Sequence, residues 1–258
     1  MSQVIVRFGG AEVRRVVDRS GARIPEHAHD RPLLSLFVLG AYRNTTEAGT
    51  LDIGGPSAIL YAAGARHANV VGADGFEQIE IEFEPDWAGL PADLATRGAR
   101  WVGGPVAAAA RELALSCATP PTEAGLRRAL TGLLDLGRGE TTPPAPAWLA
   151  EADRLARASP DLTAAGLARH VARHASWLGV RHRRHAGEPI RRTLARIRTE
   201  RAARLLRETD DPPALIAAEA GFCDQSHMIR VFRRLLGRSP TQVRADRAHF
   251  RPSPGAPA

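Results

Sequence analysis

The chain has 258 residues, a formal charge of +7 and only two cysteines. That length is enough for two domains, each with its own core. No window supplies the ~20 apolar residues of a membrane span, and the longest apolar run, Leu33 to Tyr42, reads as a buried strand.

No membrane partner is therefore expected. The N-terminus lacks a basic stretch followed by an apolar run and a cleavage site, and Cys117 and Cys223 stand far apart without a Cys-x-x-Cys pair. A disulfide framework is not expected, and a cytoplasmic location is. The charge is unevenly divided: residues 1–147 carry 14 Arg against 17 Asp and Glu, residues 148–258 carry 21 Arg against 11, and there is no Lys. The halves therefore stand at −3 and +10, which together give the +7 of the chain. Clustered Arg gains free energy by displacing counterions from phosphates, so the basic half suits a polyanion; a solubilising Arg-rich surface has the same composition.

In chain order, residues 1 to about 86 read as β. Short alternating runs occur at Val4–Phe8, Glu12–Val17, Leu34–Leu39, Gly49–Ile53, Ser57–Tyr61 and Glu77–Phe83, punctuated by Gly and Pro. Ile79, Ile81 and Phe83 share one face of the last run, and Glu80, Glu82 and Glu84 the other. Many short strands imply a barrel or sandwich. From about Pro105 the pattern turns helical, with an Ala-rich stretch Val106–Cys117. In Glu123–Leu136 a stripe of Leu126, Leu130, Leu133 and Leu134 suits either a dimer contact or packing on the barrel. A Gly/Pro-rich linker is expected over 141–150, an all-helical domain over 151–250, and a disordered tail over 251–258.

The helical domain reads as two similar units around a long helix. Thr163–Ala172, a turn and Ser176–Ala186 closed by Gly187 form the first; Ile190–Glu208 connects. In the second, Pro212-Pro213 opens Ala214–Ala220, Gly221 makes the turn, and Asp224 caps Gln225–Leu236, which Gly237 ends before Ser239-Pro240 starts a last helix.

The run from Ile216 through Gly221-Phe222, Asp224-Gln225-Ser226, Arg230, Phe232-Arg233-Arg234, Gly237 and Ser239-Pro240 to Arg244, with Arg198–Leu206 before it, resembles the C-terminal signature of the AraC/XylS family of transcription regulators. The resemblance covers about the last 85 residues of the folded region and implies two helix-turn-helix units that bind double-stranded DNA. Placed on a recognition helix, Gln225, Ser226 and Arg230 face base edges, where Gln pairs with adenine and Arg with guanine. Arg233 and Arg234 suit phosphates, and Ser239 could offer backbone amides to one. The first unit departs from the family pattern, with His174 at the capping position and His182 at an aromatic core position. Ser176, Gly179 and Val180 occupy its base-reading places and offer few donors, so it is expected to read sequence weakly, with Arg181, Arg183 and Arg184 gripping phosphate.

In the N-terminal half, Pro25-Glu-His27-Ala-His29 before a strand and Gly64-Ala-Arg-His67 after one resemble the two motifs of the cupin β-barrel, although no Glu follows His29 at the usual distance. That resemblance implies a pocket for a small-molecule effector. His27, His29 and His67 would line it, hydrogen-bond at its rim, or hold a zinc-like or iron-like ion with an open position. No other cofactor is expected.

The expected fold is thus α+β and multidomain: a cupin-like sensor with flanking helices over 1–140 and a helical DNA-binding domain. No nucleophile elbow or phosphate-binding loop is present, so no enzyme activity is expected; the alternative is a metal-dependent cupin enzyme fused to a DNA-binding tail. A homodimer, and RNA polymerase for an activator, are further partners that the family resemblance implies.

Overall fold

The computed structural model describes residues 2–18, 21–47, 49–55, 57–84, 87, 90–102, 104–117, 121–138, 146–171 and 174–249. Eight strands make one antiparallel sheet: β1 (Ser2–Phe8), β2 (Ala11–Asp18), β3 (Arg23–His27), β4 (Leu33–Thr46), β5 (Gly49–Gly54), β6 (Ser57–Tyr61), β7 (His67–Phe83) and β8 (Ala99–Val102). Their order is β1-β2-β7-β4-β6-β8, with β3 added beside β7 and β5 beside β4. The two long strands form its spine. They pair first as Leu33–Gly40 against Phe76–Glu82 and then as Tyr42–Thr46 against His67–Val71, with a register shift at Gly40/Tyr42. Gly40 has φ +90°, and a Cβ there would run into the Gly75 carbonyl, so only glycine lets the strands approach this closely at the shift.

The sequence suggested shorter strands because Gly40, Gly72 and Gly75 read as turns, whereas here they lie inside strands of 14 and 17 residues. Strands β3 and β8 were not anticipated, since Arg-Ile-Pro-Glu-His and Ala-Arg-Trp-Val carry no clear alternation.

Alternation along β2, β4 and β7 sends different chemistry to the two faces. Val13, Leu34, Leu36, Ile79, Ile81 and Phe83 point outward into the main core, which also takes in Trp101, Leu130, Leu206, Phe232 and Leu236 from the helices. The inward face carries a smaller apolar cluster of Leu33, Phe37, Tyr42, Ile53, Ile59 and Tyr61 and a polar pocket.

The helices are α1 (Ala92–Arg97), α2 (Gly104–Ser116), α3 (Glu123–Gly137), α4 (Ala147–Ala158), α5 (Ala164–His170), α6 (Ala175–Ala186), α7 (Ile190–Glu208), α8 (Pro213–Glu219), α9 (Gln225–Leu236) and α10 (Pro240–Ala245), followed by a 3-10 turn, Asp246–His249. Helix α4 begins within the expected 141–150 linker; residues 141–145 of that linker and the tail 251–258 lie outside the described residues. The leucine stripe of α3 is buried within the chain, alongside Trp101.

The main core is continuous across both halves, because α7 packs on β4 and β7 and α9 and α10 on the same side. Ion pairs reinforce this docking: Arg207 donates to Glu77 at 2.5 Å, Arg15 to Asp246 at 3.1 Å and Arg238 to Asp246 at 2.8 Å. Burial would make any one of these charges costly alone, so the cluster is held together by mutual neutralisation.

Candidate nucleic-acid interface and effector pocket

The second unit is built by strong local signals. Pro213 fixes the first turn of α8, and Gly221 adopts φ +84° at the turn, where a Cβ would collide with the Pro160 carbonyl. Asp224 caps α9 by accepting from the His227 amide at 2.6 Å, and Gly237 ends the helix in the left-handed conformation. Met228, Val231, Phe232, Leu235 and Leu236 are buried. That face fixes the opposite one: Gln225, Ser226, Arg230, Arg233 and Arg234 are all exposed.

Ser239 has a different local role. Its hydroxyl accepts from the Gln242 amide at 3.2 Å and its own amide donates to Gln242 Oε1 at 2.8 Å, a capping box that occupies these two amides.

The first unit has the same plan with weaker parts. Helix α6 spans Ala175–Ala186 and α9 spans Gln225–Leu236, so each residue of α6 lies 50 positions before its counterpart in α9. His174 stands where Asp224 stands and takes over the cap: its Nδ1 accepts from the Ser176 amide at 3.4 Å, and Ser176 Oγ lies 2.7 Å from the same nitrogen. His182 stands where Phe232 stands. It is buried, its Nδ1 donates to the Glu188 carbonyl at 2.9 Å, and burial lowers its pKa. Arg181, Arg183 and Arg184 are exposed beside Val180.

Among the described residues, Arg181, Arg183, Arg184, Arg230, Arg233 and Arg234 make no ion pair. Several arginines of α7 are paired instead: Arg196 with Glu188 and Glu200, Arg204 with Glu208, and Arg207 with Glu77, while Arg198 donates to the Pro160 and Leu162 carbonyls. Three arginines without an ion pair thus stand on the exposed face of each of α6 and α9, although Arg23, Arg128, Arg138, Arg169 and Arg191 are exposed and without an ion pair elsewhere among the described residues.

Inside the sheet lies a cavity of about 290 Å³. His27, His29 and His67 meet there from β3, the turn after it and the start of β7. One nitrogen of each ring lies within 4.8 Å of the others, with ring centroids 4.3 to 5.3 Å apart. A carbonyl can only accept, so the contacts His27 Nδ1–Pro25 O at 2.8 Å and His67 Nδ1–Ala65 O at 3.4 Å place a proton on each Nδ1 and leave Nε2 as a bare acceptor. Burial, and then the neighbouring His27, push His67 down to about 4 and lower His29. Three ring nitrogens gathered within 4.8 Å, two of the rings held by backbone carbonyls, fit a divalent transition ion.

The cavity is also lined by Asp18, Gln78, Glu80, Tyr42, Asn69 and Tyr61, whose ring stacks on that of His67 at 4.0 Å. Glu80 accepts from Gln78 at 2.7 Å, and burial raises its pKa. Sequence reading missed Glu80 as a pocket residue. Its only sequence signal was the Glu80/Glu82/Glu84 alternation, which is equally that of a solvated strand face. A larger cavity, about 470 Å³, lies at the junction of the halves beside Arg15, Glu77, Arg238 and Asp246.

The comparisons agree with the C-terminal geometry. A protein-family model described as a helix-turn-helix domain matches residues 167–246. The HTH-type transcriptional activator RhaS of Escherichia fergusonii is 40% identical over 65 residues, covering 25% of this chain and 23% of that protein. RhaS of an Enterobacter species is 35% identical over 91 residues, covering 30% and 33%. The chain thus matches between about a quarter and a third of those relatives' length. A solved structure of ToxT from Vibrio cholerae aligns over 92% of this chain and 98% of its own, at 12% identity and a TM-score of 0.39. With its paired units, their connecting helix and the matched model, residues 167–246 form a helix-turn-helix domain.

Proposed function

We propose that this chain is a sequence-specific DNA-binding regulator of transcription whose sheet pocket takes a small-molecule effector. The observation that carries this reading is that the exposed faces of α6 and α9 each present three arginines without an ion pair, in a domain matched by a helix-turn-helix model. On α9, Gln225, Ser226 and Arg230 lie in the N-terminal part, which is the part of a recognition helix that meets base edges, while Arg233 and Arg234 reach phosphates. On α6, Arg181, Arg183 and Arg184 supply the phosphate grip. Ser176 is tied into its own cap and contributes there, and Ser239 braces α10.

The effector acts by favouring one arrangement of the docked halves over another, since a ligand that binds both equally shifts nothing. His27, His29 and His67 face it. The same three rings would hold a metal ion and leave it an open position, which supports a second reading as a metal-dependent enzyme fused to a DNA-binding half. Metal content of the purified chain, and loss of DNA binding on chelation without loss of fold, separate the two.

The test of the main reading is selection of bound sequences from a random duplex pool at physiological salt. Two short enriched elements about one helical turn apart are expected. Binding that enriches nothing and vanishes as salt rises would reduce the domain to a general phosphate binder.

A further inference from the structure

Val180 is the most exposed large apolar side chain among the described residues, at 71% of its free surface. It sits in α6 two residues from the buried Leu178 and two from the buried His182, so it points directly away from the core. Ser176 and Arg184, four residues to either side, share its ridge, and Arg181 and Arg183 flank it, all exposed. An apolar group in the middle of a cationic helix face gains nothing from water, and the described residues leave it uncovered.

The 50-residue offset between α6 and α9 puts Val180 in the place that Arg230 takes in the second unit. The position that in α9 presents a guanidinium to a base edge presents two methyl groups in α6.

The residue before it adds an independent observation. Gly179 lies in the interior of α6, where glycine is the least favourable residue short of proline. A Cβ there would meet nothing within 4 Å, so no packing inside the chain requires the glycine. Glycine without an internal reason suits a backbone that must come close to something outside it.

We infer that Gly179 and Val180 form an apolar base-reading contact: the bare backbone at Gly179 lets α6 sit deep in the major groove, and Val180 packs against the 5-methyl group of a thymine. Thymine is the one unmodified base that offers a methyl there. The first unit then reads sequence by shape and apolar contact where the second reads by hydrogen bonds, which is a different conclusion from the weak reading that its lack of donors suggested. This inference rests on the DNA-binding function proposed above.

The probe is the duplex that the full chain selects from the random pool, with each thymine replaced in turn by deoxyuridine, which removes the methyl group alone. In the element that survives Arg230→Ala, one thymine-to-uracil change is expected to weaken wild-type binding about fourfold, the worth of one buried methyl-sized group. Val180→Ala should bind the thymine and uracil duplexes alike, at the weaker level, and its exposure means the fold is untouched. Gly179→Ala should raise Tm, as should the control Gly132→Ala, whose added Cβ in α3 also meets open space. Only Gly179→Ala should also weaken DNA binding, by roughly tenfold, because its Cβ intrudes on the groove.

A Val180→Ala chain that keeps the wild-type response to uracil at every thymine overturns the inference, as does Gly179→Ala binding as tightly as wild type. If the pool yields no sequence at all, the DNA-binding reading fails and this inference with it. If it yields one whose Arg230-dependent element is present and whose other element ignores uracil, the reading stands and only this inference falls.

Discussion

The two helix-turn-helix units share a plan and a length, yet they are held together by different physics. In the second unit a carboxylate caps the recognition helix, a phenylalanine fills the core position and five apolar side chains of α9 are buried. In the first, an imidazole caps at a longer distance, a second imidazole takes the core position, and the helix contains a glycine. What the first unit lacks in apolar burial it replaces with a buried ionic network that includes Glu188, Arg196, Glu200 and Arg157. One backbone plan is thus compatible with a dry core and with a polar one. The polar one is more exposed to disruption, because each of its members depends on the others for neutralisation.

The network offers the sharpest way to separate the units. Glu200 is fully buried and accepts from Arg196 at 2.5 Å and Arg157 at 2.8 Å. Glu200→Ala leaves Arg196 with Glu188 alone and Arg157 with the less buried Asp153 and Asp74, and should cost about 3–5 kcal/mol in urea unfolding. Hydrogen exchange should show the loss concentrated in α4 to α7, with α9 still protected; equal loss in both units would mean that they are one cooperative block.

A functional contrast comes next. Arg230→Ala should reduce binding to the selected duplex by about 1–3 kcal/mol and binding to random duplex very little. Equal loss on both would place Arg230 on a phosphate.

The caps should differ by less. Asp224→Ala is expected to destabilise by about 1 kcal/mol. His174→Ala should cost a few tenths, since a 3.4 Å contact is at the edge of a hydrogen bond. A larger effect at His174 would invert the ranking of the two helix starts.

The smallest effect is one of pH. Burial lowers the folded pKa of His182 below the ordinary 6.5, so as pH falls beneath that value the unfolded chain takes up a proton that the folded chain refuses, and stability declines. The decline runs from the unfolded pKa down to the folded one. In His182→Phe, which copies the second unit, the acid limb of a denaturation profile should flatten relative to wild type.

The second unit was legible in the sequence because its determinants are local: Pro213, Gly221, Asp224 and Gly237 each act within a turn of their own position. The helical stripes of α3 and α7 were legible for the same reason. What periodicity could not supply was partnership. The stripe on α3 reads alike for a dimer and for the barrel it in fact covers. The acidic face of β7 reads alike for solvent and for the pocket wall on which Glu80 lies. The histidines were found through the resemblance to cupin motifs, but the orientation of His27 and His67 depends on the carbonyls of Pro25 and Ala65, which the fold turns toward them.

Strand β7 belongs to both halves of the molecule. Glu77 anchors Arg207 on one side of the sheet, while the adjacent Gln78, on the other side, lines the pocket with Glu80. Its partner β2 repeats the arrangement, with Arg15 gripping Asp246 and Val16 and Asp18 facing the cavity. Successive side chains on one backbone cannot turn independently. The partition between the chamber and the mounting of the helix-turn-helix half is therefore a single layer of polypeptide, and any twist imposed on one of its surfaces is delivered to the other.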